Sequence, residues 1–273
     1  MNHELRVGRF TSSSISALMS NGKSKGTYGK PFYTYVQEKY FETKLGRRLD
    51  NESNARHLSW GKLVESIAFE ELGTEYNLVS QETILHHTID GWSGSPDLEK
   101  LDDGKTVCDI KCPMTLKSFC TFYECETIED VREQHKDGED YYWQLVSNAI
   151  LIGAKYAELI VFVPYLEQLE SIREAASNID GDQNKYAWIN WATDQDLPYL
   201  IPGIFYKNIK VIRFEVTESD KLLLTERVKA AIAELESMLK PKVEVEVESA
   251  LMIAELDNEV NAVIITGDND LKI

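Results

Sequence analysis

Ser95-Pro96-Asp97 is followed, after an interval of eleven residues, by Asp109-Ile110-Lys111. Side chains alternate faces along a strand, so Asp109 and Lys111 point to one side and Cys108 and Ile110 to the other. A turn at Asp103-Gly104 folds the chain back and brings Asp97 beside this pair. Two carboxylates suit Mg²⁺, a hard cation that prefers oxygen, and the backbone carbonyl of Ile110 offers a third ligand. The Lys111 ammonium would then hold or help deprotonate an attacking water. A bound metal, an activated water and a positive charge against developing negative charge are the parts that phosphodiester hydrolysis needs. The same residues also fit a plain hairpin salt bridge between Asp97 and Lys111.

Two more residues join the set. On a helical wheel through Trp60 to Leu72, Glu65 falls within the apolar arc of Leu58, Trp60, Val64, Ile67, Ala68, Phe69 and Leu72, away from Ser59, Lys62, Ser66 and Glu70. A buried carboxylate is costly unless a base pairs with it or a cation binds it. Glu65 is therefore either an ion-paired acid at the core edge or a third acid aimed at a metal. Tyr141, Gln144 and Asn148 form a polar stripe at three- and four-residue spacing in an otherwise apolar helix. An amide there either orients the water or the lysine, or is simply satisfied at the edge of the core.

The elements that must position these groups are legible as a pattern. Thr11 to Ser14 caps a short helix, Lys23 to Lys30 is a basic glycine-rich loop, and Pro31 opens a helix through about Leu45. A longer helix runs from about Asn54 to Leu72. Strands are expected at Leu78–His86, Gly91–Leu98 and Lys105–Lys111 as a meander, then at Ala157–Pro164 and Ile209–Val216. Helices are expected at Leu116–Tyr123, Tyr141–Ile152 and Asp220–Leu239. This order predicts an α/β fold with a mixed central β-sheet flanked by helices. We expect one domain over residues 1–240, including a basic helical segment 1–49, and an acidic extension over 241–273. Residues 165–206 carry Trp188, Trp191, Tyr199, Phe205 and Tyr206, which either stack on bases or core a small subdomain.

The chain has 273 residues, and its net charge of −17 is unevenly spread. Residues 1–49 carry a net charge of +6 on an otherwise acidic body. An acidic outer face with a basic inner channel would reconcile that balance with nucleic-acid binding. No apolar run approaches the roughly 18 residues needed to span a bilayer, and the first ten residues lack the apolar core of a secretory signal. Cys108, Cys112, Cys120 and Cys125 lack paired metal knuckles, so reduced thiols in a cytoplasm are expected. His86 and His87, read as strand neighbours, are expected to face opposite ways.

Taken in order, Glu65, Ser95-Pro96-Asp97, Asp109-Ile110-Lys111 and Gln144 resemble the PD-(D/E)xK nuclease superfamily. More narrowly, the chain resembles the lambda-exonuclease-like viral recombination nucleases encoded by phages. Arg6-Val7-Gly8-Arg9-Phe10-Thr11-Ser12-Ser13 is similar to that family's opening signature. Leu58 to Glu65 is similar to its tryptophan-glycine-lysine helix, and Asp109 to Pro113 to its acid-x-lysine-cysteine-proline strand. The resemblance covers residues 5 to 240. It implies a Mg²⁺-dependent 5′-to-3′ exonuclease, with Mn²⁺ as a substitute ion. Such an enzyme digests one strand of linear double-stranded DNA and leaves a 3′ overhang for a single-strand annealing protein. It also implies a homotrimeric ring. Asp97 and Asp109 would be metal ligands, Glu65 would support a second metal or its water, Lys111 would be the catalytic lysine and Gln144 its organiser. Arg6 and Ser13 would fall in a 5′-phosphate pocket, and Leu58 would be the wedge that parts the terminal base pairs. An endonuclease on the same core, or a catalytically silent DNA-binding scaffold for recombination, are the alternatives. Three converging acids, which repel phosphate, argue against the scaffold.

Overall fold

The computed structural model describes residues 4–49, 55–79, 83–102, 105–179 and 183–240, with side chains from 185 onward in the last range. The Asp103-Gly104 turn and the extension 241–273 lie outside the described residues. The chain divides after Leu235 into two units. Of the second, only Glu236 to Lys240 is described, the last turn of a helix and the residue that follows it.

The first unit opens with a 3₁₀ turn at Glu4–Arg6, strand β1 (Phe10–Thr11) and a 3₁₀ helix at Ser12–Met19. Helix α1 (Lys30–Leu45) has Pro31 in its first turn, where a missing N–H costs nothing, and ends at Gly46 in the left-handed region. Then come α2 (Arg56–Glu71), β2 (Tyr76–Leu78), β3 (Ile84–Leu85), β4 (Trp92–Gly94), β5 (Leu98–Lys100) and β6 (Thr106–Lys111). Three helices follow: α3 (Leu116–Tyr123), α4 (Ile128–Gln134) and α5 (Gly138–Ile152). Strand β7 (Tyr156–Phe162), α6 (Leu169–Ser177), α7 (Gln183–Trp191), β8 (Ile209–Glu215) and the part of α8 (Glu218–Leu239) up to Leu235 complete it.

The main sheet has the order β2-β5-β6-β7-β8. All its pairs are antiparallel except β6 with β7. A parallel pair needs a crossover, and here α3, α4 and α5 supply it. The two faces of β6 have different neighbours. Cys108 and Ile110 join a core with Trp60, Leu63, Val64 and Ala68 of α2, Ile160 and Phe162 of β7, and Ile172 and Ile189 of the following helices. Burying each large aliphatic or aromatic side chain there contributes about 1.5–3 kcal/mol. Asp109, on the other face, meets α5.

The mixed α/β sheet agrees with expectation, but the three-strand meander does not. Its middle stretch is split. Trp92–Gly94 pairs with β1 and β3 in a separate three-stranded sheet of order β1-β4-β3, and Leu98–Lys100 pairs in the main sheet. Pro96 lies between the two pieces and has no N–H for a ladder, so the strand breaks there. The first stretch is likewise divided between β2 and β3. Helix α4 was not expected. Its signal is local: Thr127 and Asp130 form a reciprocal capping box at its start.

Candidate active site

Strand β6 sets the site. Its register pairs Leu98 with Cys108, so Asp97, one residue before β5, arrives level with Asp109. β5 goes no further, and the Asp97 carboxylate takes its place at the strand edge: Ile110 N–H donates to Asp97 Oδ2 at 2.9 Å. A strand residue directs its N–H and C=O to the same edge, so the Ile110 carbonyl is directed to the Asp97 side as well.

Asp109 is 1% exposed. Its Oδ1 accepts Gln144 Nε2 at 2.7 Å from α5. Its Oδ2 has Lys111 Nζ at 2.5 Å but no hydrogen bond of good geometry. Lys111 Nζ also donates to Gln144 Oε1 at 3.4 Å. The amide thus grips the acid with its nitrogen and the lysine with its oxygen. Burial by itself would lower the Lys111 pKa, but Asp109 and Asp97 outweigh it and hold the ammonium firmly charged.

Glu65, on α2, is within electrostatic reach of the same group. Burial, then the charge of Asp109, raise its pKa to about 6, against smaller opposing effects of Lys111 and Lys62. Asp97 is pushed well above the ordinary carboxylate range by burial, then by Asp109 and Glu65. Three acids crowd one lysine. Such crowding is relieved by a divalent cation.

The donor set fits a hard metal ion in part. Among the described residues, no three His, Cys, Asp or Glu side chains converge closely enough to enclose an ion. Mg²⁺ asks for less, since it keeps several waters and is held by one or two carboxylates together with phosphate oxygens. Asp97, Asp109 and the Ile110 carbonyl meet that requirement, and the buried, poorly bonded Asp109 Oδ2 is the atom that would gain most.

The structure also brings Arg6 to Ser13. Arg6 Nη2 donates to Ser13 Oγ at 3.4 Å, and Thr11 Oγ1 stands 3.4 Å from the same hydroxyl. Burial and then the neighbouring Arg48 lower the Arg6 pKa, against Tyr35 and Glu42. Two guanidinium charges within reach of one another raise the local positive potential. Gly8 explains part of the motif. It sits at φ +67°, donates its N–H to Glu42 Oε2 at 3.1 Å, and leaves no room for a Cβ against the Thr43 hydroxyl.

Some expectations on α2 need correction. Leu58 is 49% exposed and is not part of the buried arc. Ser59, assigned to the polar side, is fully buried and accepts Trp188 Nε1 at 2.9 Å. The wheel fails at this end because α7 covers the Ser59 side of the first turn. Of the aromatics in 165–206, Trp188 and Tyr199 pack against the core, whereas Trp191 is 85% and Phe205 77% exposed. His86 and His87 do not diverge. Their rings stack at 4.7 Å, because the strand ends at Leu85. All four cysteines are free thiols.

Residues 2–155, more than half of the chain, match the YqaJ-like viral recombinase domain. The chain belongs to this family. That match spans the Arg6–Ser13 motif, Glu65, Asp97, Asp109, Lys111 and Gln144, and it bears out the recombination-nuclease resemblance. No curated protein of similar sequence was found. Among solved structures, the YqaJ-like chain is similar to an alkaline exonuclease from Laribacter hongkongensis, LHK-Exo. The TM-score is 0.57 at 17% identity over 92% of this chain and 97% of that one. LHK-Exo in complex with dAMP gives 0.56 at 17% identity, over 86% and 92%. A phage-related exonuclease from Haemophilus somnus 129PT gives 0.58 at 15% identity, over 86% and 96%. At these identities the likeness is one of fold.

Proposed function

We propose that this YqaJ-like chain is a Mg²⁺-dependent 5′-to-3′ exonuclease that digests one strand of linear double-stranded DNA. The observation that carries this reading is the linked set on one strand and helix: Gln144 bonds both Asp109 and Lys111, Lys111 lies against Asp109, and the Asp97 carboxylate sits at the Ile110 N–H, with Glu65 within electrostatic reach. Asp97, Asp109 and the Ile110 carbonyl would hold the cation, Mg²⁺ or in its place Mn²⁺. When bound, it supplies polarisation of a phosphoryl oxygen and a more acidic water. Glu65 would support a second cation or its water. Lys111 carries positive charge against the developing negative charge on phosphate. Gln144 keeps the acid and the lysine in register. Arg6 and Ser13 would receive a terminal 5′-phosphate, and exposed Leu58 would part the last base pair.

This reading extends to a 3′ overhang handed to a single-strand annealing protein, and to a homotrimer. The four free thiols support a reducing, intracellular setting. The test compares linear and covalently closed duplex, each with Mg²⁺ and with excess chelator. Loss of the linear form alone, and only with Mg²⁺, is expected. Equal nicking of the closed form would favour an endonuclease, and no cleavage of either would favour a binding scaffold.

A further inference from the structure

Besides its long bond to Gln144 Oε1, at 3.4 Å, the Lys111 ammonium has two seats, both occupied at once. One is Asp109 Oδ2, at 2.5 Å. The other is the ring of Tyr141, whose centroid is 5.0 Å from Nζ. Tyr141 stands three residues before Gln144 on α5, so the ring and the amide flank the same ammonium. The ring is itself held in place. Phe122 lies 5.9 Å from it and His135 5.6 Å, and His135 in turn stacks on Phe122 at 4.1 Å and meets Ser118 Oγ at 3.0 Å. Burial lifts the phenol to about 12, so the ring is uncharged at neutral pH.

Gln144 holds Asp109 Oδ1, so Oδ2, the oxygen beside Lys111, is the one left for a divalent cation. Two cations cannot share it closely, so the ammonium would have to withdraw from an ion bound there. Lys111 is a long side chain, 23% exposed, and the long bond to Gln144 alone would hold it weakly against solvent. An aromatic face attracts a cation without carrying a charge that would compete for the metal. We propose that Tyr141 is a positioning residue whose ring face keeps the Lys111 ammonium in the site when a divalent cation takes Asp109 Oδ2. This inference rests on the cation site described under the proposed function.

Mn²⁺ binding to the full chain, followed by electron paramagnetic resonance, tests it without relying on cleavage. Lys111→Met is expected to bind Mn²⁺ on the order of tenfold more tightly, because the competing charge is gone. Tyr141→Leu is expected to bind on the order of fivefold more weakly, because displacing the ammonium costs more without the ring. Tyr141→Phe, which keeps the ring, is expected to match wild type. In the Lys111→Met background, Tyr141→Leu is expected to change nothing. Equal weakening in both backgrounds would mean a merely structural role and would overturn the proposal, as would Lys111→Met binding no tighter. If Tyr141→Leu does not fold, Tyr141→Gln takes its place in the same cycle. A wild-type chain that digests DNA but fails this cycle sinks the inference alone. One that binds no Mn²⁺ sinks both this and the proposed function.

Discussion

Ser12 Oγ lies 2.8 Å from Ser147 Oγ, and the same Ser147 hydroxyl accepts Trp92 Nε1 at 3.0 Å. Ser12 belongs to the segment that carries Arg6 and Ser13, and Ser147 stands three residues after Gln144 on α5. One buried hydroxyl pair therefore ties the N-terminal motif to the helix that grips Asp109 and Lys111. Ser147→Ala would leave the Trp92 indole N–H and the Ser12 hydroxyl buried without that partner. We expect a loss of about 1–3 kcal/mol in urea unfolding. A loss below about 0.5 kcal/mol, the size of an ordinary surface change, would show that this junction matters little.

Glu65 should withdraw stability from the metal-free chain as pH rises from about 4.5 to about 6, against the opposite pull of His86 and His135, whose pKa values burial lowers. Glu65 ionises at its ordinary value of 4.5 when unfolded but holds its proton up to about 6 when folded. Between those values the folded state binds the extra proton, and that stabilisation is gone above the folded value. Raised Asp97 acts in the same direction. Thermal melts of wild type and Glu65→Gln in chelator should diverge across this window, with the wild type falling relative to the variant, and added Mg²⁺ should oppose the fall. Curves that run parallel would contradict the buried-acid cluster.

Asp109→Ala and Lys111→Ala should each lower the hydrolysis rate by at least about two orders of magnitude, the scale of removing one electrostatic or acid–base element. Binding to duplex ends should persist in both, because Arg6 and Ser13 are untouched. Near-normal cleavage by either variant would mean that the chemistry lies elsewhere.

Arg6→Ala should narrow a preference for 5′-phosphorylated over 5′-hydroxyl ends while leaving the dependence on divalent cation intact. The expected cause is loss of the proposed phosphate contact at Arg6 and Ser13, beside the charge of Arg48. Competition between the two kinds of end in one reaction measures this directly. Equal use of both ends by the unaltered chain would remove the assignment.

Much of the site was legible because its signals are local or periodic. Strand alternation put Asp109 and Lys111 on one face, and a three-residue spacing on one helix brought Tyr141 and Gln144 to the same lysine. What stayed hidden depends on distant partners. Ser59 is buried only because Trp188, far along the chain, bonds to it. The small sheet exists because Phe10 and Thr11 pair with Trp92 and Ser93 across most of the N-terminal half. The role of Gly8 needs both its positive φ and the approach of Thr43, and neither is visible in composition. Helix α4 is the exception, since its Thr127–Asp130 capping box was there to be read.

The central claim is tested most directly by following a duplex labelled at one 5′-phosphorylated end. With Mg²⁺, the label should leave first as a mononucleotide while the complementary strand stays full length, and excess chelator should stop the release. Label retained on a shortening strand, or release that continues in chelator, would contradict a cation-dependent 5′-to-3′ exonuclease built on Asp97, Asp109 and Lys111.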